Sequence, residues 1–182
     1  MTLDWSPALD RSDLLAEPVR RALELMAGSG VDVTRIEVAE IDPDQADTAV
    51  LVESMSWDLR DMANCIVISG SRAGEERVCA ALVLGHTRAD VNTVIRKRLD
   101  VRKCSFMSME DAVARTGMEY GGITPLGLPQ DWPVLVDSRV LEREEIVIGS
   151  GLRRSKLRLP GVMAADLPSV EVVEALARET TG

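Results

Sequence analysis

Two apolar runs separated by a polar turn constrain the fold more than any other feature of this sequence. The runs NCIVIS (64–69) and RVCAALVLG (77–85) lie on either side of GSRAGEE (70–76). Short, continuous apolar runs bounded by turn residues are typical of buried strands. We therefore predict a hairpin of two buried strands joined through the polar turn.

The rest of the chain mixes further helices and strands. Helices are predicted over 18–27, near 48–56 with Asp47 as its cap, over 91–99, from 108 to Gly117, and over 169–178. Strands are predicted at VDVTRIEV (31–38), PVLVD (133–137), EIVIGSG (145–151) and KLRLP (156–160). This order does not alternate strictly between strand and helix, which favours an α+β domain with a mixed sheet over a doubly wound fold.

The bulk composition fits one cytoplasmic domain. The 182 residues are 46% hydrophobic and 28% charged, which is enough to fill a core and stay soluble. Residues 1–14 are predicted as a loose N-terminal arm and residues 15–182 as the domain. We expect neither a membrane span nor a signal peptide, because the required apolar runs are missing. Three scattered cysteines suit the reduced core thiols of a cytoplasmic protein.

The net charge of −9 is unevenly distributed along the chain. Residues 1–61 carry all of it, whereas residues 62–182 are neutral. The basic residues of the neutral part form two clusters: Arg88, Arg96, Lys97, Arg98, Arg102 and Lys103, and then Arg153, Arg154, Lys156 and Arg158. The acidic balance argues against loose, non-specific binding to nucleic acid, and we expect no DNA partner. Each cluster is either a solvated face balanced by nearby acids or a local surface for an anionic ligand.

The side chains of common catalytic sites are missing from the sequence. His86 is the single histidine, and no partner stands at the spacing of a triad or a metal site. The GxSxG, P-loop, HExxH and CxxC motifs do not occur. The run GSGLRR (149–154) is rich in glycine but lacks the context of a dinucleotide site. We expect no metal and no cofactor, so catalysis has to proceed without a strong side-chain nucleophile.

The segment GMEYGGITPLG (117–127) holds an unusual amount of bare backbone. Its four glycines and one proline suit neither a helix nor a regular strand. Glycine lets a ligand approach the main chain, and free N–H groups can bind an oxygen that gains negative charge during attack on an ester. The alternative interpretation is a tight crossover between a helix and a strand that binds no ligand.

This segment and those that follow it resemble the YbaK/EbsC family, free-standing relatives of the editing domain inserted in bacterial prolyl-tRNA synthetases. The family signature is a Gly-Gly-Ile-Ser/Thr-Pro-Leu-Gly loop, a strand ending in Asp, and a strand ending in a glycine pair. The matching residues are Gly121, Gly122, Ile123, Thr124, Pro125, Leu126 and Gly127, then Asp137, then Gly149 and Gly151. The resemblance implies a YbaK-like single domain, with a central mixed sheet or partial barrel flanked by helices.

The resemblance also implies a function: deacylation of aminoacyl-tRNA that carries a wrong, small amino acid. Family members are thought to use backbone groups of the glycine loop, a bound water and a ribose hydroxyl of the substrate. The implied partners are the acceptor end of aminoacyl-tRNA and an aminoacyl-tRNA synthetase. The implied catalytic residues are Gly121, Gly122 and Asn64. The implied substrate-binding residues are Thr48, Ile123, Thr124, Pro125, Gly149, Gly151 and Lys156. The implied tRNA contacts are Arg96, Lys97, Arg98, Arg102 and Lys103.

Two positions depart from the family pattern. Asn64 stands where many members have a lysine, and Lys156 lies near the place of an Asp found in the pocket of some members. Asn64 is either a pocket residue or a strand-start amide bonded to neighbouring backbone. Lys156 points either into the pocket or outward. The alternative function is therefore a non-catalytic module that binds aminoacyl-adenosine or an amino acid as a sensor or adaptor. A third is a structural partner protein that docks through residues 1–61.

Overall fold

The predicted hairpin lies at the centre of the fold. A computed structural model describes residues 3–45, 48–55 and 57–180. In it, β3 (Ala63–Arg72) and β4 (Glu75–Leu84) pair antiparallel along their whole length. The turn residues Ala73 and Gly74 both have positive φ, at 53° and 85°. This conformation lets a two-residue turn follow the right-handed twist of the strands.

The other strands extend the hairpin and build a second sheet. They are β1 (Ser6–Pro7), β2 (Glu37–Glu40), β5 (Thr87–Ala89), β6 (Lys103–Phe106), β7 (Val134–Asp137), β8 (Ile146–Gly149), β9 (Ser155–Leu159), β10 (Val170–Val173) and β11 (Ala177–Glu179). A mixed sheet has the order β10–β7–β4–β3–β6, and an antiparallel sheet has the order β1–β2–β9–β8. In the mixed sheet, β7 is parallel to both β10 and β4. A small ribbon pairs β5 with β11. The sheets formed by the described residues do not close into a barrel, and the fold is α+β as predicted.

Helices flank the sheets, and all of them except the short α5 lie close to where the periodicity predicts a helix. They are α1 (Glu17–Gly28), α2 (Thr48–Met55), α3 (Arg96–Arg98, preceded by a wider helical turn at Val91–Ile95), α4 (Met109–Thr116) and α5 (Ser138–Leu141). The Ser108 hydroxyl accepts the Asp111 amide and starts α4, and Gly117 ends it with a φ of 68°. The predicted cap Asp47 lies outside the described residues. No helix among the described residues has both the length and the apolar character needed to cross a membrane.

The main core lies between α1 and the two larger sheets. Leu23, Leu82, Val136 and Leu157 are fully buried members of this core. Each large aliphatic side chain removed from water in this way contributes about 1.5–3 kcal/mol to stability. The core therefore holds the two sheets against one another.

Residues 3–14, the described part of the expected loose arm (1–14), pack against the domain. Ser6 and Pro7 pair with β2, and the chain then turns through a short 3-10 segment, Ala8–Leu14. Ala8 and Leu14 are buried in the main core. Burial of these apolar side chains explains the difference, because the free energy that it contributes fixes the segment although the residues between them are polar or acidic.

The C-terminal helix predicted over 169–178 is absent from the structure, which places β10 and β11 there. β10 pairs in parallel with β7, from Val170 opposite Val134 to Val173 opposite Asp137. Short apolar runs fit helix and strand periodicity equally, and pairing with a buried neighbour decides between them. The predicted strand at 31–38 is likewise shorter, because a 3-10 turn at Val33–Arg35 precedes β2.

Candidate active site

The two larger sheets meet at a bridge and then diverge. Met62 and Val147 form an isolated parallel bridge, in which the Val147 amide donates to the Asp61 carbonyl at 2.8 Å. β6 pairs with β3 only over Ile68–Ser71, so the opposite half of β3 is not covered by β6. A cavity of about 600 Å³ occupies the gap between this half of β3 and β8. We call it the first cavity.

The main chain of β3 supplies polar groups to the first cavity. The Met107 amide donates to the Val67 carbonyl on the β6 side, whereas the Gly85 amide donates to the Met62 carbonyl on the β4 side. Main-chain groups of successive strand residues point alternately to the two neighbouring strands. The N–H and C=O of Cys65 therefore point to the same side as those of Val67, and Cys65 lines the cavity.

The glycine loop (117–127) packs against the turn after β8 and closes the other wall. The Gly151 amide donates to the Gly122 carbonyl at 2.8 Å, and the Glu119 amide donates to the Gly151 carbonyl at 2.8 Å. The Gly122 amide donates to the Glu119 carbonyl at 2.9 Å. A Cβ added to Gly149 would lie 2.2 Å from the Gly122 oxygen. The two glycine motifs thus permit a contact between main chains that any side chain would prevent.

The structure brings five of the predicted site residues to the first cavity: Asn64, Gly121, Ile123, Gly149 and Lys156. Asn64 comes from β3, Gly149 and Lys156 from the paired strands β8 and β9, and the other two from the glycine loop. Lys156 is buried in the structure. Residues far apart in sequence therefore share one cavity.

The other predicted substrate-binding and catalytic residues do not line the first cavity. Gly122, Thr124 and Pro125 are buried in the loop, and the Gly122 amide is already bonded to Glu119. Gly151 supports the loop from the turn after β8. The Thr124 hydroxyl is buried and has no hydrogen-bond partner among the described residues. Thr48 begins α2, and its side chain lies outside the described part of the chain.

The basic residues predicted to contact tRNA lie elsewhere. Arg96, Lys97, Arg102 and Lys103 line a second cavity of about 850 Å³ beside the β3–β4 turn, together with Arg72. Arg98 forms an ion pair with Glu171 instead. The first cavity reaches Val67 on β3 and the second begins at Ser71, so the nearest β3 residues of the two cavities are separated by about 13 Å at the usual strand rise.

Sequence reasoning missed Arg153 as a site residue. Its guanidinium donates to the Tyr120 carbonyl at 3.1 Å and to the Pro43 carbonyl at 3.2 Å. Its amide donates to the Glu119 carboxylate at 2.6 Å, and its side chain lines the first cavity. The available signal was its position two residues after the glycine pair, within a basic cluster.

The first cavity is lined by basic side chains and has a cysteine as its candidate nucleophile. Arg153 and Lys156 are its charged residues, and no acidic side chain lines it within the described part of the chain. Burial, with a smaller effect of Cys79, raises the pKa of the Cys65 thiol to about 12. The thiol is therefore protonated at neutral pH and is a poor nucleophile. No group of three or more His, Cys, Asp or Glu side chains in the described ranges is arranged to hold a metal ion.

Asp137, the signature residue at the end of β7, holds the fold together away from the cavity. Its carboxylate accepts the Arg139 and Ala177 amides and forms a two-point ion pair with Arg139. Burial acts to raise the pKa of Asp137, but the hydrogen bonds from Arg139 and Ala177 outweigh it and lower the pKa below its ordinary value. Asp137 thereby joins β7, α5 and β11.

Comparison with known proteins identifies the family. The sequence matches the aminoacyl-tRNA editing domain family over residues 42–167. The chain belongs to this family. A search of curated proteins gave no match to this editing domain.

Solved structures show the same fold for the editing domain. A proposed trans-editing enzyme for prolyl-tRNA synthetase is 19% identical, with a TM-score of 0.71 over 87% of this chain and 94% of its own. The hypothetical protein APE2540 is 17% identical, with a TM-score of 0.71 over 85% of this chain and 97% of its own. A proposed signal transduction protein from Marinobacter aquaeolei VT8 is 18% identical, with a TM-score of 0.54 over 90% of this chain but only 31% of its own.

Proposed function

We propose that this editing domain hydrolyses the ester bond of mischarged aminoacyl-tRNA that carries a small amino acid. The observation that carries the proposal is the first cavity, where main-chain groups from the glycine loop and β3 meet two cationic side chains. Such a site suits an anionic nucleotide that bears an activated ester, because an ester needs only a positioned water and a stabilised oxyanion.

The glycine loop supplies the oxyanion donor in this proposal. Gly121 is exposed, lines the cavity, and has a φ of 83° that favours glycine. Its N–H binds the ester oxygen as negative charge develops there. The Gly122 amide is donated to Glu119, so Gly122 acts by holding the loop against Gly151. Water then adds to the carbonyl carbon, the ribose oxygen leaves with a proton, and a free amino acid and tRNA are released.

Side chains around the loop orient the substrate. Asn64 orients the amino acid or the attacking water, since its amide both donates and accepts hydrogen bonds. Lys156 contacts the ribose or a phosphate. Apolar walls that include Met62, Val67 and Ile123 accept a small uncharged side chain and reject a larger one by exclusion.

The second cavity contacts the body of the tRNA. Arg96, Lys97, Arg102 and Lys103 line this cavity, whose nearest β3 residue lies about 13 Å along the strand from the first cavity, so one acceptor stem can reach both. Their charges attract backbone phosphates although the chain as a whole is acidic. The proposed setting is the cytoplasm, with an aminoacyl-tRNA synthetase as a further partner.

One observation favours a second candidate function. Asn64 lines the cavity at the place where many family members have a lysine, and it brings no positive charge. A domain with an intact cavity but a weakened catalytic group would bind aminoacyl-adenosine or an amino acid without hydrolysing it. It would then act as a sensor or adaptor.

Deacylation of a panel of mischarged tRNAs tests the proposal. We expect turnover of a tRNA charged with a small amino acid, and a loss of about 10-fold or more in kcat/KM for Asn64→Ala and Arg153→Met. Arg154→Met is the matched control, because Arg154 is bonded to the Asp13 carbonyl and does not line the cavity. Failure to deacylate any member of the panel contradicts the proposal. Binding of an aminoacyl-adenosine analogue without turnover supports the second candidate.

A further inference from the structure

The mouth of the first cavity gathers exposed apolar side chains. Seven large hydrophobic side chains are exposed among the residues that the structure describes, and three of them line this one cavity. They are Phe106, Met109 and Tyr120, with exposures of 60%, 57% and 57%. Phe106 and Tyr120 are also the only Phe and the only Tyr of the chain. An exposed apolar group gathered at one cavity marks a contact surface.

Three separate elements bring these side chains together. Phe106 is the last residue of β6, Met109 is the first residue of α4, and Tyr120 belongs to the glycine loop. The Arg153 guanidinium donates to the Tyr120 carbonyl at 3.1 Å and so holds the main chain of the glycine loop at Tyr120. Arg153 also lines the cavity, so a cation and the aromatic ring of Tyr120 lie at the same cavity.

Exposed aromatic and apolar side chains beside a cation match the chemistry of a nucleotide. A nucleobase is a planar ring that stacks on aromatic side chains, and its phosphate is an anion that a guanidinium binds. Two aromatic rings are too few to stack a run of bases, but they suffice for one.

We propose that Phe106, Met109 and Tyr120 form a binding site for a single unpaired nucleobase, with Arg153 as the ligand of its phosphate. The inference rests on the proposed function only in taking that base to be the terminal one of the tRNA. In this arrangement the base lies at the mouth and directs the ester toward Gly121. The site recognises the end of the nucleic acid independently of the amino acid.

Binding of AMP and of ribose 5-phosphate to the full chain, measured by calorimetry, tests this site without any reaction. The two ligands share the sugar and the phosphate and differ in the base. We expect AMP to bind at least 10-fold more tightly, since stacking of one base changes affinity by about 5- to 150-fold. Phe106→Ala and Tyr120→Ala should reduce AMP affinity toward that of ribose 5-phosphate and leave the latter unchanged.

Control variants and a kinetic arm separate this inference from the hydrolase proposal. Leu25→Ala and Val162→Ala remove exposed apolar side chains that do not line the cavity, and they should leave AMP affinity unchanged. Equal affinity for AMP and ribose 5-phosphate overturns the base site. Deacylation by Phe106→Ala and Tyr120→Ala at the rate of the unsubstituted protein overturns it as well. If the protein binds AMP more tightly than ribose 5-phosphate but deacylates no tRNA, the base site is supported and only the hydrolase proposal is overturned.

Discussion

The carbonyl oxygen of Gly122 accepts the amide of Gly151 at 2.8 Å, and this bond fastens the glycine loop to the turn after β8. Gly149 lies against the same carbonyl, and Glu119 bonds to both Gly151 and Gly122. Main-chain contacts therefore fasten the loop that lines the cavity, in addition to the buried Met118 and Leu126 side chains and the bond from the Arg153 amide to the Glu119 carboxylate. Its glycines are needed for close approach as much as for exposed N–H groups.

Substitution of Gly149 tests this close approach. A Cβ at Gly149 would lie 2.2 Å from the Gly122 oxygen, so Gly149→Ala should lower the free energy of unfolding by about 1–3 kcal/mol and reduce deacylation. Gly28→Ala is the control, because a Cβ there meets nothing within 4 Å, and its effect should stay within about 0.5 kcal/mol. Urea unfolding measures both. Equal stability of the two variants would show that the loop and the turn are not in close contact.

Alkylation tests the inert thiol of the cavity. Burial raises the pKa of the Cys65 thiol to about 12, so the thiol is protonated at pH 8 and iodoacetamide should modify it only very slowly. Peptide mapping measures the modification, and protein unfolded in urea serves as the reactive control. Cys65→Ala should keep deacylation within a few fold, because the main chain at this position faces the cavity. Rapid labelling with parallel loss of activity would assign a catalytic role to the thiol.

The pH dependence of the free energy of unfolding tests the structural role of Asp137. Its pKa is lowered in the folded state, so its contribution to stability is complete above the unfolded pKa of about 4 and is lost as the pH falls through the folded value. Asp137→Asn should therefore cost about 1.5–3 kcal/mol at pH 7 and pH 5, and progressively less below pH 4. Urea unfolding at several pH values measures the difference, with Asp131→Asn, an exposed carboxylate, as the control. A cost independent of pH would contradict the assignment.

Salt dependence tests the second cavity as a tRNA-binding surface. Removing Arg102 and Lys103 together by substitution with Ala should weaken tRNA binding and reduce the slope of log K against log salt by about one for each phosphate that the variant no longer neutralises. The control removes Arg20 and Arg21, which pair with Glu24 and Glu17 on α1. Binding is measured between 50 and 200 mM salt, a range chosen as roughly physiological. An unchanged slope would place the tRNA body on another surface.

Local signals predicted much of the fold but only part of the site. The β3–β4 hairpin and the bounds of α4 are encoded by contiguous residues, such as the apolar runs, Ser108 and Gly117. β10 is stabilised by its pairing with β7, which lies more than 30 residues earlier, so its periodicity alone could not distinguish a strand from a helix.

The cavity arises from non-local geometry. It exists because β3 and β8 diverge after the Met62–Val147 bridge, and no short motif encodes that divergence. Asn64 and Lys156 could be placed near the glycine loop only through the family resemblance. Phe106 and Tyr120 carried no pattern in the sequence, because their shared position depends on how β6 and the loop approach one another.

The bridge between Met62 and Val147 also bears on how such a protein can change its specificity. The bridge fixes where β3 and β8 meet, so these two strands set one wall of the cavity, and the glycine loop forms the opposite wall. Replacement of wall residues such as Val67 or Ile148 would reshape the space for the amino acid. The hydrogen bonds that hold the glycine loop would stay as they are, so selectivity and chemistry can diverge independently in this fold.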